Sequence, residues 1–247
     1  PKIIAEKSAK IFQKYITEIE DRFKDHKHLL LMGGKDSQNY LLANRKSRWI
    51  VLSGQPNADL NEKFIKDNKI ENIEEFIKHD DVANNDMLLD EIISSDCFFD
   101  VGHFRYIPKI GEIIKKNNGK VIVWYGQAGD GKFVYCANHR HSNYFDVHVL
   151  HVGMAMGILH QLSKNLFDVP VLSIYQCPEF LEEIFFKFEP YFVKNLKYDL
   201  RNDIGKILFN GINPIYPQLN PGPSDWSDIT FRNRKKSIGR YIKSVEK

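Results

Sequence analysis

The strongest constraint on this chain is a junction. The apolar run His28-Leu29-Leu30-Leu31-Met32 ends in Gly33-Gly34 and reopens as Lys35-Asp36-Ser37, a polar segment that begins a helix. A strand that reads as a continuous hydrophobic run is buried on both faces, as in a parallel sheet covered by helices. The junction itself has an anion-binding geometry. Glycines let backbone N–H groups approach a phosphate chain, the helix start adds positive dipole, and Ser37 offers a hydroxyl donor. Asp36 would repel bare phosphate and suits a bound Mg²⁺ instead. The spacing differs from the commonest phosphate loop, which puts four residues between its glycines and follows them with Lys and Ser or Thr.

Lys120-Val121-Ile122-Val123-Trp124 is a second strongly apolar strand. It too runs into a glycine-rich, acid-bearing turn, Tyr125-Gly126-Gln127-Ala128-Gly129-Asp130-Gly131-Lys132. Arg48-Trp49-Ile50-Val51-Leu52 predicts another strand, ending at Ser53-Gly54. Helical spacing surrounds these runs: Ile11, Phe12, Tyr15, Ile16, Ile19 and Phe23 ahead of the first strand, then Gln38 to Ala43 after its loop. Asp59 and Glu62 read as a capping box for a helix through Ile65. Further helices are expected around Met87 to Ile93 and from Pro108 to Lys116, the latter stopped near Asn118-Gly119. This alternation predicts an α/β fold, an open and mostly parallel sheet with helices on both faces. Ligands of such sheets sit beyond the carboxyl ends of the strands, where strand order reverses. Gly33 to Ser37, Leu52 to Gly54 and Gly126 to Asp130 all lie at such ends.

From about Phe145 the pattern turns helical. Val147, Leu150, Met154, Ile158, Gln161 and Leu162 surround Gly153 and Gly157, and Pro178 opens a further helix. The expected organisation is a nucleotide-binding core over 1–144 and a mainly helical extension over 145–247 that completes the active site, together one compact unit.

Gly33-Gly34-Lys35-Asp36-Ser37 resembles the Ser-Gly-Gly-x-Asp-Ser signature of the PP-loop ATP pyrophosphatases, which cleave ATP to AMP and pyrophosphate while adenylating a substrate. The turn from Gly126 to Asp130 resembles the Ser-Gly-Glu/Gln-Gly-x-Asp-Glu turn of the asparagine-synthetase branch. Softer matches follow in order: Met154 and Gly157, Val169 to Tyr175, Lys197-Tyr198-Asp199-Leu200-Arg201, and Arg232 to Gly239. The resemblance implies an adenine nucleotide alpha hydrolase-like sheet and ATP with Mg²⁺ as cofactors. In its terms Gly33, Gly34, Lys35, Ser37, Gly126 and Gln127 contact phosphate, Leu52, Ser53 and Gly54 suit the adenine and ribose end, and Asp36 and Asp130 hold the metal. Lys236, or its neighbour Lys235, supplies catalytic positive charge opposite the departing pyrophosphate alongside Asp130. The implied activity is an AMP-forming, amide-forming ligase: a carboxylate or amide oxygen is activated for attack by an amine or ammonia. The glutaminase half of asparagine synthetases has no counterpart here, so ammonia would come from a partner or the amine from the substrate. Met32 stands where the family has Ser, and Gly131 where the branch has Glu.

Two other readings use the same loops: a tRNA-modifying enzyme with Cys136 as its thiol and the basic 232–247 region on RNA, or a domain that binds nucleotide without turnover. His139, His141, His148 and His151 crowd one region without a second cluster at metal-ligand spacing, and three widely separated cysteines, Cys97, Cys136 and Cys177, indicate no disulfide framework. A hydrophobic content of 43% excludes a disordered chain. No apolar run is long enough to cross a bilayer and no signal-peptide pattern opens the sequence, so a cytoplasmic protein with no membrane partner is expected.

Overall fold

The computed structural model describes residues 1–54, 57–79, 106–126, 167–195, 198–212 and 214–215. Five strands, β1 (Lys27–Leu31), β2 (Trp49–Gly54), β3 (Ile73–His79), β4 (Val121–Tyr125) and β5 (Val171–Leu172), form one sheet in the order β3-β2-β1-β4-β5. Every pairing is parallel, with Leu29 opposite Ile50 on one side and Val123 on the other. Around the sheet lie α1 (Lys2–Arg22), α2 (Lys35–Leu42), α3 (Ala58–Asp67) and α4 (Ile107–Lys116). After β5 comes a helical run in three parts, α5 (Pro178–Phe180), a π-helical turn (Leu181–Phe186) and α6 (Lys187–Lys194), and then α7 (Leu200–Leu208).

Alternation along the strands sorts the core into two layers. Leu30, Trp49, Val51, Ile122 and Trp124 join α1, α2, Phe64 of α3 and the helices after β5 in one cluster. Leu29, Ile50, Leu52, Val121 and Val123 face the other way, onto Ile110, Ile113 and Ile114 of α4. Right-handed crossovers explain the split. Connections that step from β1 to β2 to β3 carry α2 and α3 over one face, and the return to β4 on the far flank of β1 must carry α4 over the other. The first cluster also draws residues from both sides of position 144, since Phe12 and Tyr40 pack with Tyr175, Phe180 and Ile204.

The local signals act as the residues dictate. Pro108 sits in the first turn of α4, where its missing N–H costs nothing, and Asn118 and Gly119 end that helix at φ 53° and 77°. The Gly119 N–H then reaches back to the Ile114 carbonyl at 3.0 Å. The helix around Asp59 and Glu62 differs from its expected form. It begins at Ala58, with Asn57 as N-cap and no side-chain cap bond, so Asp59 lies inside the first turn. The carboxylates of Asp59 and Glu62 instead take the Lys78 ammonium of β3, at 2.8 and 2.7 Å. β3 itself is not anticipated by the sequence pattern. The helix expected over Met87–Ile93 and the helical pattern between Val147 and Leu162 lie outside the described residues. Among the described residues no helix is long and apolar enough to cross a membrane.

The face beneath α1 carries a buried polar cluster. His28 stacks on Trp49 and Trp124, and the Trp124 indole N–H donates to His28 Nδ1 at 2.9 Å. The Trp49 indole donates to Glu20 Oε1 at 2.8 Å, and the Lys46 and Ser47 amides donate to the same carboxylate. Burial alone would raise the Glu20 pKa, but the bonds from Ser47, Lys46 and Trp49 outweigh it and hold the carboxyl below its ordinary range. Burial pushes the His28 imidazole down to about 4. Its folded pKa thus lies below the unfolded value of about 6.5, so the unfolded chain takes up the proton first as pH falls. Stability from this residue is full above that value and is lost as pH drops towards 4. Denaturant titration should show a loss of about 2 kcal/mol between roughly pH 7 and pH 5, and His28→Gln should flatten that slope. An unchanged slope in the variant would assign it to other groups.

Candidate functional site

Strand order decides where a ligand can enter. β1 and β4 are neighbours, yet α2, which follows β1, and α4, which leads into β4, cover opposite faces, so strand order reverses between them and the carboxyl ends of this pair are where ligands of such sheets bind. The loop from Met32 to Ser37 leaves β1 at this point, and Gly126 leaves β4 beside it. The two segments touch. A Cβ added at Gly126 would lie 2.7 Å from the Ser37 amide nitrogen and 3.0 Å from Asp36 Cβ. Only a residue without a side chain allows β4 to end directly against the first turn of α2.

The loop is held from below and from both flanks. Ser37 Oγ donates to the Gly34 carbonyl at 2.8 Å and accepts the Gly33 N–H at 3.1 Å, which closes the turn on itself. Towards β2, the Met32 carbonyl accepts Ser53 Oγ at 2.8 Å and Asn61 Nδ2 at 3.2 Å, while the same Asn61 nitrogen donates to Ser53 Oγ. Towards β4 and β5, the Tyr40 hydroxyl donates to the Tyr125 carbonyl and accepts the Ile174 N–H. Gly33 faces open space, since a Cβ there would meet nothing within 4 Å. The Ser37 and Gln38 amides turn back to the Gly34 carbonyl at 3.1 and 3.2 Å, and the start of α2 brings the positive end of its dipole to this opening.

Charge at the crevice comes as a linked set. Asp36 Oδ1 accepts from Arg201 Nη1 at 2.9 Å. The other edge of the guanidinium is held bidentately by Asp199, Nε to Oδ1 at 2.7 Å and Nη2 to Oδ2 at 2.9 Å. Lys35 Nζ lies 3.4 Å from Asp199. Burial opposes the charge on Arg201, but Asp36 and Asp199 outweigh it and keep the guanidinium firmly protonated. Burial likewise works against the Asp199 charge, and Arg201 holds its carboxyl below the ordinary range. Behind the pair, the Tyr175 hydroxyl donates to the Asp36 carbonyl at 3.2 Å, and Asn39 Nδ2 reaches both the Tyr175 hydroxyl and the Arg201 carbonyl.

Of the residues singled out by sequence, Gly33, Gly34, Lys35, Asp36, Ser37 and Gly126 come together at this one opening. The Leu52 side chain lies in the core against α4, its carbonyl accepts the Met32 N–H, and Ser53 spends its hydroxyl on the loop. Gly54 is covered by the Tyr106 ring, whose hydroxyl occupies the space a Cβ would need. Gln127, Asp130, Lys235 and Lys236, with the histidine group from His139 to His151 and with Cys136, lie outside the described residues. Among the described residues no three His, Cys, Asp or Glu side chains gather as a metal cage. Sequence reasoning missed Asn61 and the closing role of Arg201. Asn61 interrupts the buried stripe Ala58, Asn61, Phe64, and a polar side chain in such a stripe is the one signal that could have found it. No protein-family model matches this chain, and no curated protein matches it.

The contacts at the two glycines give opposite expectations. Gly126→Ala should lower the unfolding free energy by about 1–3 kcal/mol, because backbone must move to admit the methyl group. Gly33→Ala should change it by less than about 0.5 kcal/mol. Chemical denaturation of both variants checks the contrast, and equal losses would contradict the contact at Gly126.

Proposed function

We propose that this chain binds ATP with magnesium in the β1–β4 crevice and uses it to adenylate a substrate, in the manner of the asparagine-synthetase branch of PP-loop enzymes. One observation carries the reading: the loop after β1 and the end of β4, far apart in sequence, meet where Gly126 packs on Asp36 and Ser37. The strand order and its switch point favour an adenine nucleotide alpha hydrolase-like sheet within the α/β class.

Residues at the opening fit the groups they would hold. Gly33 leaves room for a phosphate to approach backbone, and the start of α2 supplies the dipole. Asp36, with Asp130 of the second turn, would hold magnesium. A cage of protein ligands is not required, because magnesium takes one or two carboxylates and completes its shell with phosphate oxygens and water. Bound there, the metal neutralises charge on the leaving pyrophosphate. Lys35 keeps a further positive charge at the loop, and Ser37 shapes the loop by tying Gly33 to Gly34. Lys236 or Lys235 would add charge on the phosphate side. The activated group is a carboxylate or amide oxygen of a small molecule or peptide, and the acceptor is an amine or ammonia.

Two measurements test this. In calorimetry the protein should bind ATP only with Mg²⁺, and Asp36→Asn should weaken that binding at least about tenfold. Binding indifferent to Mg²⁺ and to the substitution would sink the assignment. Exchange of labelled pyrophosphate into ATP, screened against carboxylate pools, should rise with the correct carboxylate. Stimulation by tRNA alone would point to RNA modification instead, and binding without exchange under any condition would leave a nucleotide-binding domain without turnover.

A further inference from the structure

Arg201 joins the loop after β1 to the start of α7 through charge, as Lys35 does more loosely from the other side. It is 5% exposed, and its guanidinium is shared between two carboxylates. The two are not equivalent. Asp199 is built into the start of α7: its Oδ1 caps the helix by accepting the Arg201 N–H at 3.1 Å, and the carboxylate grips the side chain bidentately. To Asp36 the guanidinium gives one bond, from Nη1. Three of the five guanidinium N–H groups are used in these bonds, which leaves donors on Nη1 and Nη2 for a further oxyanion. Asp36 is also the carboxylate to which the nucleotide reading gives the metal. A guanidinium and a divalent cation repel each other when they share one carboxylate, and each weakens the other's hold.

We propose that Arg201 is a positioning residue that couples metal to nucleotide: it gives up Asp36 when a divalent cation takes that carboxylate, and turns the freed Nη1 edge to the phosphates while Asp199 keeps it in place. The inference rests on the nucleotide reading and deepens it by naming how the site is regulated. Arg201 thus holds the Asp36 charge compensated until metal and phosphate arrive together. Metal without phosphate must compete with the guanidinium for Asp36, and phosphate without metal must draw the guanidinium off a carboxylate on which nothing replaces it. Binding of the two is therefore mutually reinforcing, and by linkage the reinforcement is reciprocal.

The test measures two affinities in each protein, Mn²⁺ alone by electron paramagnetic resonance and ATP in saturating Mn²⁺ by calorimetry. Arg201→Gln should bind Mn²⁺ alone about tenfold more tightly than the natural protein and bind ATP with Mn²⁺ about tenfold more weakly. The opposite signs are the signature, since a residue that merely ties α7 to α2 would weaken both on removal. Arg201→Lys keeps the charge but not the fork, and should shift both affinities in the same directions by about threefold, which preserves the test should the glutamine variant fold poorly. Loss of both affinities in a variant with natural near-ultraviolet dichroism, or no change in either, would overturn the coupling. Failure of the natural protein to bind ATP with Mn²⁺ would overturn the nucleotide reading itself, and the coupling with it.

Discussion

The close approach of two backbones at Gly126 is the contact on which the rest of the crevice depends. β4 ends against the first turn of α2 with no side chain between them, and that contact fixes how closely the end of β4 approaches the loop after β1. Everything around it works to keep α2 in place. Tyr40 ties the helix to the ends of β4 and β5, Asn61 and Ser53 tie the preceding loop to β2 and α3, and Tyr175 reaches the Asp36 carbonyl. Each of these ties uses a buried polar group that is itself hydrogen-bonded, so holding the loop adds rigidity at little desolvation cost.

The charged set above the loop follows a different logic. Two acids, Asp36 and Asp199, face two bases, Arg201 and Lys35, so the opening carries little net charge among these four. Buried ion pairs of this kind contribute little net stability, because desolvation offsets most of the attraction, whereas breaking one leaves an uncompensated charge. A fold that needed only to join α7 to α2 would do as well with apolar packing, of the kind Leu200 and Ile204 already share with Leu41 and Leu42 in the core. The ion set at the crevice therefore fits a role in handling charge.

How much of this could be read from the sequence depended on burial. β1, β2 and β4 are covered on both faces, so their unbroken apolar runs and the glycines that end them were legible, as was the stop of α4 at Asn118-Gly119. β3 was not, because Ile73-Glu74-Glu75-Phe76-Ile77-Lys78-His79 lies at the sheet edge with several side chains in water, and its apolar residues mimic helical spacing. The loop at Gly33 to Ser37 was legible as an anion-binding turn, while its flanking supports were not. Asn61 was visible only as a misplaced polar residue, and Lys197 to Arg201 only through resemblance. A pair such as Asp36–Arg201, 165 positions apart, is set by how α7 docks, which local pattern does not encode.

The stacked rings beneath α1 also give the sheet an optical handle. Trp49 and Trp124 lie with centroids 5.1 Å apart and planes 16° from parallel, one on β2 and one on β4, with the β1 imidazole against both. Two indoles so close couple their electronic transitions, and the coupled signal depends on the spacing of the three central strands. Any event that spreads the carboxyl ends of β1 and β4 is thus written into the absorption of polarised light by this pair, with no label attached.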